Sequence, residues 1–409
     1  MNIPLAVENS VLPASGSRRL LDPPASPNFL SLAASASATP DPKSGRLLGI
    51  SQIFNPSRHT VVVGMSGGVD SSVSALLLKR QGYRVIGLFM KSWEETDERG
   101  VCKSSIEYED VLRVSEQLQI PCYSVNLVEE YRERVFAEFL QDLKDGFTPN
   151  PDILCNREIK FNAFLKKAKE LGADFLATGH YCRLDEEKRL LKGFDPAKDQ
   201  SYFLHAVKQE ALKSVLFPVG HLPKTEVRKL AEEAGLATSQ KKDSTGICFI
   251  GKRDFKPFVS GYLGYKEGFF RRLNGEIVGK HDGAAYYTIG QRKGMGLGGE
   301  GEAWFVVGKN IEKNEVYVER GADHPALFST ELLASRFTWV AEEPPALPFR
   351  CAAKVRYRQE DKPCTLFFLE KGVGKVVFDK PQRAVTPGQS VVFYDGERCL
   401  GGARIERAI

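Results

Sequence analysis

Residues 60–72 read Thr-Val-Val-Val-Gly-Met-Ser-Gly-Gly-Val-Asp-Ser-Ser, a β-branched run that turns on glycines into a helical pattern. Few folds accept that junction. A continuous β-branched run suits a strand covered on both faces, as in a parallel sheet. A glycine turn between such a strand and a helix brings backbone N–H groups and a helix N-terminus to the carboxyl edge of the sheet, where anionic ligands bind. Ser71 and Ser72 can add hydroxyl donors. A plainer reading makes Asp70 and Ser71 helix caps. No Gly-Lys-Ser/Thr follows, so this is not a Walker-type loop.

The alternation continues past the loop. The pattern predicts helices over Val69 to Gln81, Ile106 to Leu118, Tyr131 to Lys144 and Lys160 to Leu171. Between them it predicts strands at Arg84 to Met90, Cys122 to Leu127 and Phe175 to Thr178. Such β-α-β-α order implies a doubly wound parallel sheet. From about residue 250 the texture changes to short alternating segments: Ile247 to Ile250, Phe269 to Val278 around Asn274-Gly275, Ala284 to Ile289, Ala303 to Val307 and Glu315 to Glu319. Beyond Pro344-Pro345 strands are expected at Cys351 to Tyr357, Thr365 to Leu369, Lys375 to Phe378, Ser390 to Tyr394 and Cys399 to Ile405. Regular short strands of this kind suggest a small barrel. The expected organisation is an extension at 1–58, an α/β domain at 59–250, a β-rich central domain at 251–328 and a C-terminal β-barrel at 329–409.

A chain of 409 residues is too long for one ordinary core, which agrees with several domains. No apolar run reaches the roughly 20 residues that a membrane span needs, so no membrane partner is expected. The net charge of +5 permits a polyanionic partner without requiring one. Eight scattered cysteines show no CxxC or metal-knuckle spacing, so no structural metal site is expected and a reducing compartment fits best. Residues 1–58 are rich in Ser, Ala and Pro, with more basic than acidic side chains, and are expected to be disordered. They read equally as an organellar transit peptide, giving a mitochondrial or plastid address, or as an extension of a cytoplasmic protein.

Two cysteines stand apart. In Thr148-Pro149-Asn150-Pro151-Asp152-Ile153-Leu154-Cys155, Asp152 and Cys155 are three apart at an expected helix start, so carboxylate and thiol can meet one substrate. The plainer alternative makes Asp152 an N-cap and Cys155 packing. In the second segment Lys241 and Lys242 can depress the pKa of Cys248, which otherwise reads as a buried strand cysteine.

The Ser66-Gly67-Gly68-Val69-Asp70-Ser71-Ser72 loop resembles the PP-loop of the ATP pyrophosphatases, the adenine nucleotide α-hydrolase-like fold. That resemblance implies ATP contacts from Gly64, Met65, Ser66, Gly67, Gly68, Val69, Asp70 and Ser71, with Asp70 holding Mg²⁺ and Met90 lining the adenine pocket. Further blocks are similar to those of the MnmA/TrmU tRNA 2-thiouridylases: Gly87 to Lys91, Pro149 to Phe161, Ala177 to Tyr181, Lys198 to Leu204, Lys241 to Gly251, Tyr287 to Arg292, Arg356 to Gln359 and Val385 to Gln389.

The family resemblance implies that ATP adenylates O2 of the wobble uracil, making C2 electrophilic. A persulfide on Cys248 then attacks C2, and Cys155 acts as second nucleophile, leaving a Cys155–Cys248 disulfide that a reductant must reopen. A bridging-sulfide route is the alternative. Asp152 is the implied general acid/base. The same resemblance implies a tRNA anticodon loop as partner, contacted by Asn150, Pro151, Asp152, His180, Lys198, Asp199, Gln200, Arg356, Tyr357 and Gln389, with Gly179 at the nucleotide. A persulfide donor or sulfur-relay protein is the other implied partner. Rival readings are a PP-loop synthetase using a nitrogen nucleophile, which needs no cysteine pair, and a noncatalytic RNA-binding protein on an ATPase-like scaffold.

Overall fold

Val61, Val62 and Val63 are wholly buried, as a β-branched run in the middle of a parallel sheet should be. The computed structural model describes residues 56–94, 103–243, 255–264, 266–341, 343–368 and 372–409. The first sheet contains β1 (Thr60–Met65), β2 (Arg84–Lys91), β3 (Cys122–Asn126), β4 (Phe175–Ala177) and β7 (Val215–Leu216). Between β4 and β7 a hairpin is formed by β5 (Cys182–Leu184) and β6 (Leu190–Lys192). The sheet runs β3-β2-β1-β4-β7, with every pairing parallel. Helices α1 (Val69–Arg80) and α2 (Lys103–Gln117) make the crossovers from β1 to β2 and from β2 to β3. The chain then returns past β1 to begin β4, so the winding reverses between β1 and β4, and a crevice opens there at the carboxyl edge.

The central domain pairs β8 (Gly268–Arg271) with β9 (Ile277–His281) and β10 (Trp304–Asn310) with β11 (Glu315–Arg320), and β11 lies parallel to β8. The C-terminal strands are β12 (Phe328–Trp339), β13 (Phe349–Lys354), β14 (Lys362–Phe368), β15 (Gly374–Arg383), β16 (Ser390–Asp395) and β17 (Arg398–Ala408). They run β12-β15-β14-β13-β16-β17, and the β12–β17 pairing closes a six-stranded antiparallel barrel. An α/β domain, a β-rich middle and a C-terminal barrel are the architecture expected from sequence.

Four details differ. β12, of twelve residues, was not expected, because register shifts and a positive φ of 51° at Arg336 break its two-residue alternation. Residues 284–289, expected as a strand, instead form a short 3₁₀ turn at Ala284–Tyr286 followed by loop. Their apolar character serves burial of Ala284, Tyr286 and Tyr287 rather than a ladder. Helices at Lys224–Glu233 and Phe255–Leu263 were also unexpected. The β5–β6 hairpin leaves its own domain and adds to the barrel edge through Arg398 and Leu191. The strand expected at Ile247 to Ile250 lies outside the described residues.

The short helix Ser201–Leu204 fastens the α/β domain to the barrel. Tyr202 donates its hydroxyl to the Ser390 carbonyl at 2.9 Å, and Ser201 Oγ lies 3.1 Å from Tyr394 Oη. His205 places Nε2 3.1 Å from Ser390 Oγ and Nδ1 3.3 Å from Thr338 Oγ1. Burial, with the Arg157 charge second, lowers the His205 pKa from 6.5 to about 3. Its folded pKa is therefore below its unfolded one, so this stability is complete above the unfolded value and lost as pH falls toward the folded value. Between pH 6.5 and 3 His205 should cost about 1.4 kcal/mol per pH unit. Urea midpoints across that range should fall less steeply in His205→Asn than in the parent, and parallel profiles would refute the assignment.

Candidate active site

The glycine loop is built by steric necessity. Gly67 has φ +69°, and a Cβ there would lie 2.6 Å from the Glu107 carbonyl oxygen. The N-cap of α1 is Gly68, which has no side chain to cap with, so neither Asp70 nor Ser71 is the cap. Ser71 and Ser72 are buried, and both hydroxyls donate to the Gly68 carbonyl, at 3.1 and 2.9 Å. Their protons close the loop, and the Ser66 N–H donates in turn to Ser71 Oγ at 3.2 Å. Met65 and Val69 are core side chains, and a Cβ on Gly64 would lie 3.1 Å from the Phe164 ring. These three border the crevice through backbone. Met90 is half-buried at the same edge, opposite Val125 of β3.

The loop after β4 faces α1 across the crevice. A Cβ on Gly179 would lie 2.8 Å from Ser71 N and 2.9 Å from Asp70 C, so glycine alone permits this approach. His180 Nδ1 lies 2.8 Å from Thr178 Oγ1, and its ring stands 5.6 Å from Phe161. Burial, then the Lys160 charge, holds its pKa well below the ordinary value, so it is neutral near pH 7.

Asp70 points along the crevice to a cluster that sequence reasoning missed. Its Oδ1 accepts from Tyr181 Oη at 2.7 Å and from Lys224 Nζ at 2.6 Å. Burial and the Asp70 charge raise the Tyr181 pKa, keeping it a donor. Lys224 also meets Asp243, which receives Arg228 and Lys198 as well. A signal was present: Lys224 and Arg228 stand in the first turns of a helix, where the macrodipole disfavours cations unless anions compensate. Lys241 donates to the Gly67 carbonyl at 2.9 Å and pairs with Asp110 at 2.6 Å; its expected effect on Cys248 falls outside the described residues.

Asn150, not Asp152, caps the helix carrying Cys155. Its side chain accepts from Asp152 N at 3.2 Å, and Pro151 takes the first helical position. Cys155 is 1% exposed, and wide π-type turns continue from it to Phe164, the residue packed on Gly64. Among the other thiols, burial raises Cys182 and Cys122 and pushes Cys399 up to about 12. Cys248 lies outside the described residues.

The crevice therefore presents anion donors and cations at one end of the α/β domain, with a helix-borne carboxylate and thiol in the same domain. Residues 59–252 match the tRNA methyl transferase HUP domain, 256–320 the tRNA methyl transferase PRC-barrel domain and 329–405 the aminomethyltransferase beta-barrel domain. A tRNA-specific 2-thiouridylase MnmA of Protochlamydia amoebophila is 61% identical over 355 residues, covering 86% of this chain and 94% of that protein. This chain belongs to the tRNA-specific 2-thiouridylase MnmA family. MnmA 2 of Geobacillus kaustophilus is 57% identical over 354 residues, covering 86% and 95%, and MnmA of Halalkalibacterium halodurans 56% over 357, covering 87% and 96%.

Several side chains implied by resemblance to the MnmA family surround residues 148–156. Gln389 Nε2 donates to the Thr148 carbonyl at 2.7 Å. Asn156 donates to the Phe203 carbonyl at 3.1 Å, and the Phe203 ring lies 4.4 Å from Tyr357. Arg356 is tethered to the Ile289 carbonyl at 2.7 Å. Gln200 bridges to Tyr181 N at 2.9 Å, and Lys198 is in the cation cluster. Asp199 differs. It is buried, accepting from Gly193 N and Ser201 N at 3.0 Å each and from Lys354 at 3.3 Å, so its carboxylate serves the fold.

Gly179→Ala should displace the start of α1 and weaken ATP binding about tenfold or more while leaving the far-ultraviolet circular dichroism unchanged. Calorimetric titration with ATP checks this, and an unchanged Kd would show that the close approach is dispensable.

Proposed function

We infer that this protein is a tRNA 2-thiouridylase, a sulfurtransferase acting on tRNA. The observation that carries the reading is 61% identity to a tRNA-specific 2-thiouridylase across 94% of that protein. The HUP domain brings ATP use with it.

The finer chemistry is our proposal. The backbone N–H groups of the glycine loop and the Lys224 ammonium suit an ATP phosphate tail. Asp70 suits Mg²⁺, which takes one or two carboxylates and completes its shell with phosphate oxygens and water. Bound ATP supplies an adenylyl group for O2 of a wobble uridine and releases pyrophosphate. Asp152, half-buried and one turn before Cys155 on the same helix, is the proposed group that moves protons at the base and at a thiol, a reading its position supports. Cys248 carries the persulfide, its terminal sulfur goes to C2, and AMP leaves. Cys155 and Cys248 end as a disulfide, which takes two electrons from a thiol reductant. The anticodon loop is proposed to lie along Asn150, Pro151, His180, Gln200, Arg356, Tyr357 and Gln389, and a persulfide donor or relay protein supplies sulfur.

No described helix is long and apolar enough to cross a membrane. A cytoplasmic setting is proposed for its reducing power, with a mitochondrion or plastid as the alternative if residues 1–58 act as a transit peptide.

Incubating the protein with ATP, Mg²⁺, a persulfide source and unmodified tRNA should give 2-thiouridine at the wobble position by mass spectrometry. Cys155→Ser and Cys248→Ser should each lower the yield by about 10³-fold or more while pyrophosphate release on tRNA continues. Thiolation that survives both substitutions would exclude the cysteine route, and pyrophosphate release without any thiolation by the parent would exclude the activity.

A further inference from the structure

Three cations converge on one carboxylate beside the glycine loop. Asp243 Oδ1 accepts from Arg228 Nη2 at 2.6 Å and stands 2.9 Å from Lys224 Nζ, while Oδ2 accepts from Lys198 Nζ at 2.8 Å. Lys224 reaches Asp70 at 2.6 Å, so Asp70 and Asp243 are the carboxylates that balance Lys198, Lys224 and Arg228 here. Convergent ammonium and guanidinium donors at charge-assisted distances form the donor set that holds a phosphate group. An aspartate has two oxygens to offer them, and a terminal phosphate has three.

Lys224 and Arg228 keep their places by other contacts as well. Lys224 is almost wholly buried, and its ammonium lies 5.6 Å from the Tyr181 ring centroid. Its backbone N–H donates to Asp195 Oδ2 at 3.0 Å. Arg228 also donates to the Lys241 carbonyl at 3.2 Å. Withdrawing Asp243 would therefore leave an organised cationic pocket beside Asp70, open to an anion.

We propose that Asp243 is an internal placeholder, whose carboxylate occupies the position that the terminal phosphates of ATP take on Lys198, Lys224 and Arg228, and which those phosphates displace. The proposal rests on the ATP reading above. Burial alone would raise the Asp243 pKa, but hydrogen bonds from Lys198 and Lys224 hold it at about 2, so the competitor stays charged throughout the neutral range. An internal competitor reduces apparent affinity by the fraction of time the pocket is closed. Displacement also loosens the end of the turn at residues 239–243, which Lys198 and Lys224 no longer hold through Asp243.

The test uses calorimetric titration of the full chain with Mg²⁺-ATP and, separately, inorganic pyrophosphate. Asp243→Asn should tighten both by about tenfold, and Asp243→Glu, restoring a competing carboxylate, should return Kd toward the parent value. A purely structural role predicts weaker binding in both variants, and that result or an unchanged Kd overturns the placeholder. If pyrophosphate tightens in Asp243→Asn while neither protein binds ATP, the placeholder stands and the nucleotide reading falls. Binding of neither ligand by either protein overturns both.

Hydrogen exchange on the parent protein decides the question should Asp243→Asn fail to fold. Saturating pyrophosphate should speed exchange at residues 239–243 by about tenfold while slowing it at 66–72. Protection or no change at 239–243 would overturn the proposal.

Discussion

Both backbone groups of Thr148 are held by the barrel: its N–H donates to the Pro387 carbonyl at 2.8 Å, and its carbonyl accepts from Gln389 at 2.7 Å. The rest of the candidate site depends on that grip. Thr148 stands just ahead of the Asn150 cap, so the start of the helix carrying Asp152 and Cys155 is located by a loop 241 positions away. The central domain adds Lys309, whose ammonium lies 3.4 Å from Thr148 Oγ1 and donates to the Tyr287 carbonyl at 3.1 Å. Burial lowers the Lys309 pKa to about 8, a cost that makes sense where the cation also ties two domains together. A Cβ on Gly388 would lie 2.6 Å from Thr148 N, so the barrel loop needs glycine to come this close.

At the other end of the α/β domain, close approach is again the organising constraint. Gly64 admits the Phe164 ring, Gly67 admits the Glu107 carbonyl and Gly179 admits the start of α1. Gly67 and Gly179 each remove a side chain where two backbones almost touch, Gly64 makes room for a ring, and together they bring the loops after β1 and β4 to one crevice. Phe164 ends the π-type segment that Cys155 begins. The nucleotide end and the thiol end of the site are therefore joined by one stretch of helix as well as by one sheet.

Local chemistry made part of this legible from sequence. The β-branched run, the glycine turn and the alternating α/β periods identified the first sheet, and short strands with turn residues identified the barrel. What escaped depended on partners distant in the chain. β12 lacks alternation because its bulges fit two neighbours, β15 and β17, at once. Lys224 and Arg228 drew no notice as a lysine and an arginine on a helix, since Asp70 and Asp243 lie far from them in sequence. Asp199 was chosen with its motif, yet its oxygens bind Gly193, Ser201 and Lys354, a pattern visible only once the barrel is docked. Motif resemblance names residues by block and cannot distinguish a side chain facing a ligand from one that bonds the fold, as Asp199 does.

The helix carrying Cys155 also bears on how a buried thiol could take the role proposed for it. At 1% exposure Cys155 is closed off from solvent, so an incoming substrate reaches it only as its surroundings shift. An α-helix resists such a shift, because each residue is locked to the turn before it. From Cys155 to Phe164, however, the turns are wider than α-helical, and Phe161 departs from helical dihedrals at φ −99° and ψ 18°. Wide turns of this kind weaken the ladder locally and are found mostly where function needs an irregular helix. Asn156 carries the same imprint: its amide is buried with Nδ2 bonded to Phe203, while Oδ1 lacks a hydrogen-bond partner among the described residues. Anchored at Thr148 on one side and Phe164 on the other, the segment has fixed ends and a loosely bonded middle, and Cys155 lies between those anchors.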